Sequence, residues 1–134
     1  MPPPPVRAAA ALLTATLAGV HVYWAAGGRA GMAASLLQND EGQPLFTPPP
    51  VMTLGVAAGL ATMSAAALNA NSPRMRWPLR LIALVFLLRA VGDGRWVGLT
   101  RQRRGTAFAR NDARLYTPLC LVLAALFGAL GWRR

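Results

Sequence analysis

Four apolar stretches, each about long enough to cross a bilayer, fill most of this 134-residue chain. They run over residues 6–26, 51–68, 77–97 and 115–132. A helix of about 20 residues matches a hydrocarbon core of about 30 Å. The runs are apolar all round, whereas the helices of a soluble core keep a polar face. The chain is 54% hydrophobic and 13% charged, against about 25% charged in a soluble domain. These features predict an all-α fold: one transmembrane domain over 1–134, built as an integral membrane four-helix bundle with two longer loops on the same side.

The charge narrows the partners. All fourteen basic residues are arginines, four residues are acidic, and the formal net charge is +10. In a soluble chain that balance would suggest nucleic acid. Here no basic surface interleaved with aromatics is present, and the expected partners are membrane lipids with anionic headgroups. Cys120 is the one cysteine and lies in an apolar run, so no internal disulfide is possible and packing is its expected role. One His and one Cys cannot build a structural zinc site, so no metal is expected. Gly27-Gly28 and Gly92-Asp93-Gly94 are too sparse to cradle a phosphate, no dinucleotide fingerprint or nucleophile elbow is present, and the cofactor stays unknown.

Along the chain, Pro2 to Pro5 reads as a short extended arm. The first run ends in Tyr23-Trp24, an interfacial signature, and three spans follow it, so it reads as a retained span rather than a signal peptide. The loop to Pro50 is rich in Gly and Pro. It holds a candidate interfacial helix over Ala30 to Leu37 and a turn at Asn39-Asp40-Glu41-Gly42. Gly55 and Gly59 form a GxxxG match in the second span, and Ala11, Ala15 and Gly19 form a similar ridge in the first. Small residues let helix backbones approach closely. Packing inside the bundle is the favoured reading of that seam, ahead of a homo-oligomer. The connection over residues 69–76 is short enough to require an antiparallel helix pair.

An even number of spans puts both termini and the middle connection on one side. The two longer loops then share the other side, with His21 and Trp24 at the end of the first span and Asp93 and Arg95 near the end of the third. Arg89 and Asp93 are four apart, so they stack on one helix face and can pair, which lowers the cost of holding either ion near hydrocarbon. Arg95 lies about 200° further round and points to headgroups or to Asp112. His21 could act as a general base, a proton relay or a hydrogen-bonded packing residue. Standing alone it favours packing, and an approach by Asp93 or Asp112 would raise a catalytic role. Trp24 and Trp96 fit interfacial anchors. The third-loop arginines (Arg101, Arg103, Arg104, Arg110, Arg114) form a basic loop within reach of lipid phosphate. Six arginines on the terminal side against seven on the loop side leave orientation undecided. Arg7 ahead of the first span, with acidic residues after it, leans toward cytoplasmic termini.

Several of these residues form recognisable strings. They are His21-Val22-Tyr23-Trp24-Ala25-Ala26-Gly27-Gly28, Gly42-Gln43-Pro44-Leu45-Phe46, and Gly92-Asp93-Gly94-Arg95-Trp96-Val97-Gly98. Thr106-Ala107-Phe108-Ala109-Arg110-Asn111-Asp112, followed by Tyr116-Thr117-Pro118-Leu119, is the fourth. Together they make the chain resemble an uncharacterised family of small bacterial four-span membrane proteins, a domain of unknown function. The resemblance implies a multi-pass protein of the bacterial cell membrane and brings no activity with it. The residues themselves suggest a polar pocket on the loop-bearing face, built from His21, Trp24, Arg89, Asp93, Arg95 and Asp112. The expected function is binding or passage of a small polar or amphiphilic molecule, most simply an anionic one met by arginine. One alternative is a membrane enzyme with His21 as base and Asp93 or Asp112 as its orienter. Another is a non-catalytic subunit of a larger membrane complex.

Overall fold

Proline marks where the helices begin. In this computed structural model, which describes residues 2–133, α1 spans Pro4–Ala25 and α3 spans Pro50–Leu68. Each carries proline in its first turn, where the missing N–H has no intrahelical partner to lose. Pro4 and Pro5 therefore belong to α1 and not to an extended arm. The last long helix runs from Ala107 to Gly131. It comprises α5 (Ala107–Asn111), a π-helical turn over Asp112–Tyr116 and α6 (Thr117–Gly131), with Pro118 in the first turn of α6. These three helices are long and apolar enough to cross a membrane.

The remaining long helix, α4, spans Arg76–Val91 and has 16 residues. At 1.5 Å per residue it reaches about 24 Å, short of a full hydrocarbon core. The sequence suggested that it continues to Val97. It stops at Val91 because Gly92 takes φ 93°, which turns the chain out of the helix. In the first loop α2 is a single turn, Met32–Ser35, shorter than the interfacial helix expected there. A 3₁₀ turn at Pro73–Met75 links α3 to α4.

The long helices pack as two antiparallel pairs, α1 with α3 and α4 with α6, and α1 joins the pairs through α6. Small residues set the first pair. Ala10, Ala11, Thr14 and Ala18 are buried on α1 against Thr53, Ala57, Leu60 and Ala67 on α3. The Ser64 hydroxyl donates to the Ala11 carbonyl across this seam at 2.8 Å. Larger side chains fill the second pair, where Leu79, Phe86, Leu123, Phe127 and Leu130 are buried and the rings of Phe86 and Phe127 stack at 6.0 Å. Arg80 of α4 donates to the Gly131 carbonyl of α6 at 2.9 Å. This contact, with Ser64–Ala11, places the start of α1 and the end of α6 at the same end of the bundle.

The glycine seam is not where the spacing suggested. A Cβ on Gly55, Gly59 or Gly19 would meet nothing within 4 Å. Ala15 and Gly19 are exposed, as are Gly55 and Gly59. α3 turns its Thr53–Ala57–Leu60 face inward and leaves both glycines outward.

Candidate functional site

The string from Gly92 to Gly98 folds into a closed loop just beyond α4. The Asp93 Oδ1 accepts the backbone N–H groups of Arg95 (2.9 Å), Trp96 (2.7 Å) and Val97 (3.1 Å). Those three donors hold the Asp93 carboxyl below the usual carboxylate range. The ends of the loop touch backbone to backbone. A Cβ on Gly98, whose φ is 78°, would lie 2.5 Å from Gly92 Cα and 2.6 Å from the Ala90 carbonyl. Arg95 and Arg103 sit over the Trp96 ring at 5.3 and 4.4 Å, and Arg103 also pairs with Asp40 at 2.6 Å.

Closing this loop aims the Gly98 N–H at Asp112, which it meets at 2.8 Å. Asp112 is fully buried and is the hub of the loop-bearing end. Its Oδ1 accepts from Arg89 Nη2 at 2.6 Å, and its Oδ2 accepts from Arg101 Nε at 3.2 Å. Arg101 Nη2 also donates to the Thr117 hydroxyl at 3.3 Å. The surrounding turn is well anchored. Thr106 caps α5 by accepting the Ala109 N–H, and the Gln38 Oε1 accepts the Phe108 N–H. The π-turn begins at Asp112 itself, and such turns are frequent at functional sites.

The expected Arg89–Asp93 pair does not form. The helix ends between the two residues, so four-residue stacking no longer applies. Asp93 is exposed and satisfied by its own loop, and Arg89 turns to Asp112. Two guanidiniums then share one carboxylate, leaving one net positive charge in the cluster. Arg89 Nη1 is buried and has no hydrogen-bond partner among the described residues.

Arg89 faces a cavity of about 400 Å³. Its walls come from α1 (Leu17, His21, Trp24), from α3 (Met52, Thr53, Val56) and from the last helix (Tyr116, Leu119, Cys120), closed by Met32, Leu36 and Phe108. Most of the wall is apolar. A second cavity of about 410 Å³ adjoins it toward the first loop and shares Trp24, Met32 and Thr53.

Of the four residues that topology placed at one membrane face, His21 and Trp24 line this space, together with Arg89. Asp93 and Arg95 do not; they stay on the exposed loop. Asp112 is bonded to Arg89, Arg101 and Gly98 and is not among the residues that line the space. His21 Nδ1 lies 2.7 Å from the Leu17 carbonyl. A carbonyl can only accept, so Nδ1 is the donor in this contact. The ring packs edge-on against Trp24 at 5.1 Å. No carboxylate orients it, and among the described residues no group of His, Cys, Asp and Glu could hold a metal. Arg101, Gly98 and Cys120 were not picked out as members of a site. The signal for Arg101 was its place in the same loop as Asp112, the one acidic residue there.

The fold thus defines an all-helical protein of membrane-spanning character, with a buried Arg–Asp–Arg cluster beside an apolar cavity. The chain belongs to the family described as "Protein of unknown function (DUF3995)", which matches residues 12–127. No curated protein and no solved structure matches it.

Proposed function

We propose that this is a small multi-pass membrane protein that binds, or passes, an amphiphilic molecule in the cavity beside Arg89. The single observation that carries the reading is the buried, unpartnered Nη1 of Arg89 at the wall of a mainly apolar space. A buried donor without an acceptor costs about 1–3 kcal/mol, and more when charged, and a ligand oxygen would remove that cost. The cavity lies in the size range of small-molecule sites, which pair apolar walls with a few placed polar groups. Its uncompensated positive charge favours a head that is anionic or rich in acceptors.

The enzyme reading loses ground on one observation. His21 is held by a backbone carbonyl, and Asp112, its expected orienter, is taken by Arg89, Arg101 and Gly98. Cytoplasmic termini are part of the proposal. Among the described residues the terminal end carries Arg7, Arg74, Arg76, Arg80 and Arg133 and no acidic side chain, whereas Arg89, Arg101 and Arg103 at the loop end are ion-paired.

Cys120 makes the test direct, since it is the one thiol of the chain and lines the cavity. In lipid nanodiscs, a single-chain amphiphile should slow its alkylation by N-ethylmaleimide. Val56→Trp, which fills the cavity from an exposed position of α3, should abolish that protection. Equal alkylation rates with and without every amphiphile tried would overturn the proposal.

A further inference from the structure

The polar groups of the cavity wall form a short inventory. The Trp24 indole N–H donates to the Ala30 carbonyl at 2.8 Å. The Ser35 hydroxyl lies 2.8 Å from the Gly31 carbonyl and 3.0 Å from the Tyr116 hydroxyl. The Tyr116 hydroxyl also reaches the Ala34 carbonyl at 3.3 Å, and Thr53 donates to the Pro49 carbonyl at 3.4 Å. These groups are satisfied from within the fold. Among the described residues, Arg89 Nη1, which can only donate, is buried without a partner, and His21 Nε2 makes no hydrogen bond; it accepts in the neutral ring and donates in the imidazolium. They come from different helices, α4 and α1, and both residues line the same space.

A head that meets both must accept from a guanidinium and be able to pair with an imidazole in either of its protonation states. An ammonium head would meet the net positive charge of the Arg89–Asp112–Arg101 cluster. An ester accepts but cannot donate. An alcohol has one oxygen with which to reach two residues on different helices. A carboxylic acid supplies a carbonyl oxygen for Arg89 and a hydroxyl for His21. If the proton passes to Nε2, the contacts survive as guanidinium–carboxylate and imidazolium–carboxylate.

We propose that the cavity takes a single-chain carboxylic acid, its head bridging Arg89 Nη1 and His21 Nε2 and its chain lying along the apolar wall of α1 and α3. This rests on the cavity-binding reading above and names the ligand class.

The test uses full-length protein in nanodiscs at pH 7, with dodecanoic acid, its methyl ester, dodecanol and dodecylamine as probes and Cys120 alkylation as readout. The acid should protect Cys120 at a concentration at least about tenfold lower than the ester, the alcohol or the amine, the worth of one charge-assisted hydrogen bond. His21→Phe keeps a ring against Trp24 and removes the acceptor. It should weaken protection by the acid about tenfold and leave the ester unchanged, a split that a packing role for His21 would not produce. Arg89→Gln leaves Asp112 with Arg101 and the Gly98 N–H and should weaken protection by the acid at least about tenfold; protection equal to the parent's would overturn the head assignment. If the acid has no advantage over the ester, or if His21→Phe binds it as the parent does, the head assignment is overturned while the cavity reading stands. If none of the four probes protects Cys120, the cavity reading falls with it.

Discussion

Asp112→Asn is the substitution to which this structure should be most sensitive, and Asp93→Asn is its control. Asp112 is fully buried and receives Arg89 at 2.6 Å, Arg101 at 3.2 Å and the Gly98 N–H at 2.8 Å, spread over both its oxygens. Asparagine keeps one acceptor oxygen and turns an amide donor toward groups that are donors themselves. It also leaves two guanidiniums with no counter-charge. Removing one partner of a buried pair costs about 3–5 kcal/mol. Asp93 is exposed, and all three of its bonds go to Oδ1, which asparagine retains. Its replacement should cost less than about 1 kcal/mol. At roughly 4 °C per kcal/mol, the midpoint in a detergent thermal-unfolding assay should fall by about 12–20 °C for Asp112→Asn and by about 4 °C or less for Asp93→Asn. Two midpoints within a few degrees of each other, or in the reverse order, would refute the assignment of Asp112 as the hub. The combination Arg89→Met, Arg101→Met and Asp112→Leu should regain most of the lost stability, because no ion is then left unpaired. Arg89→Met with Asp112→Leu should regain less, because Arg101 remains.

The remaining predictions concern the glycines and the exposed carboxylate. Gly98→Ala must fit a Cβ 2.5 Å from the Gly92 Cα at a positive φ, so it should cost at least about 3 kcal/mol, read as a lower midpoint in the same assay. Gly59→Leu meets open space and gains helix propensity, so the midpoint should stay level or rise by the equivalent of up to about 1 kcal/mol. Asp93 is held below the usual carboxylate range, so its contribution to the loop is complete above the ordinary value of about 3.9 and is lost as pH falls toward the folded one. Trp96 fluorescence should therefore stay constant from pH 7 to about pH 5 and change only below about pH 4.

Span length and apolarity made the helical bundle legible, because a stretch of twenty apolar residues has few other uses. Parity of the spans put His21, Trp24, Asp93 and Arg95 at one face, and of these only His21 and Trp24 line the cavity, with Arg89. The ion pairing was not legible in the same way. Pairing Arg89 with Asp93 assumes that the helix continues past Val91, and Gly92 ends it. Once the chain turns, neighbours in sequence lose their fixed geometry, and Arg89 finds Asp112, which is distant in the chain. The glycine spacing in α3 raised a related difficulty. Spacing identifies which residues share a face, but the face that packs is decided by shape against α1, where the Thr53, Ala57, Leu60 and Ala67 face of α3 covers the Ala10, Ala11, Thr14 and Ala18 face of α1.

The π-turn at Asp112–Tyr116 gives the last helix a phase. Such a turn holds one more residue than a regular α-helix would over the same rise. Above it sit the carboxylate and the capped α5; below it sit Leu123, Phe127 and Leu130, set against α4. Deleting a single residue there would restore an even helix and rotate everything above by about 100°. The apolar stripe facing α4 would keep its angle, and Asp112 would swing away from Arg89 and Gly98. The extra residue thus works as a vernier, setting the angle between two helical surfaces on a single rod. Substitutions in the stripe facing α4 or in the cap leave that offset in place, whereas a deletion in the turn removes it.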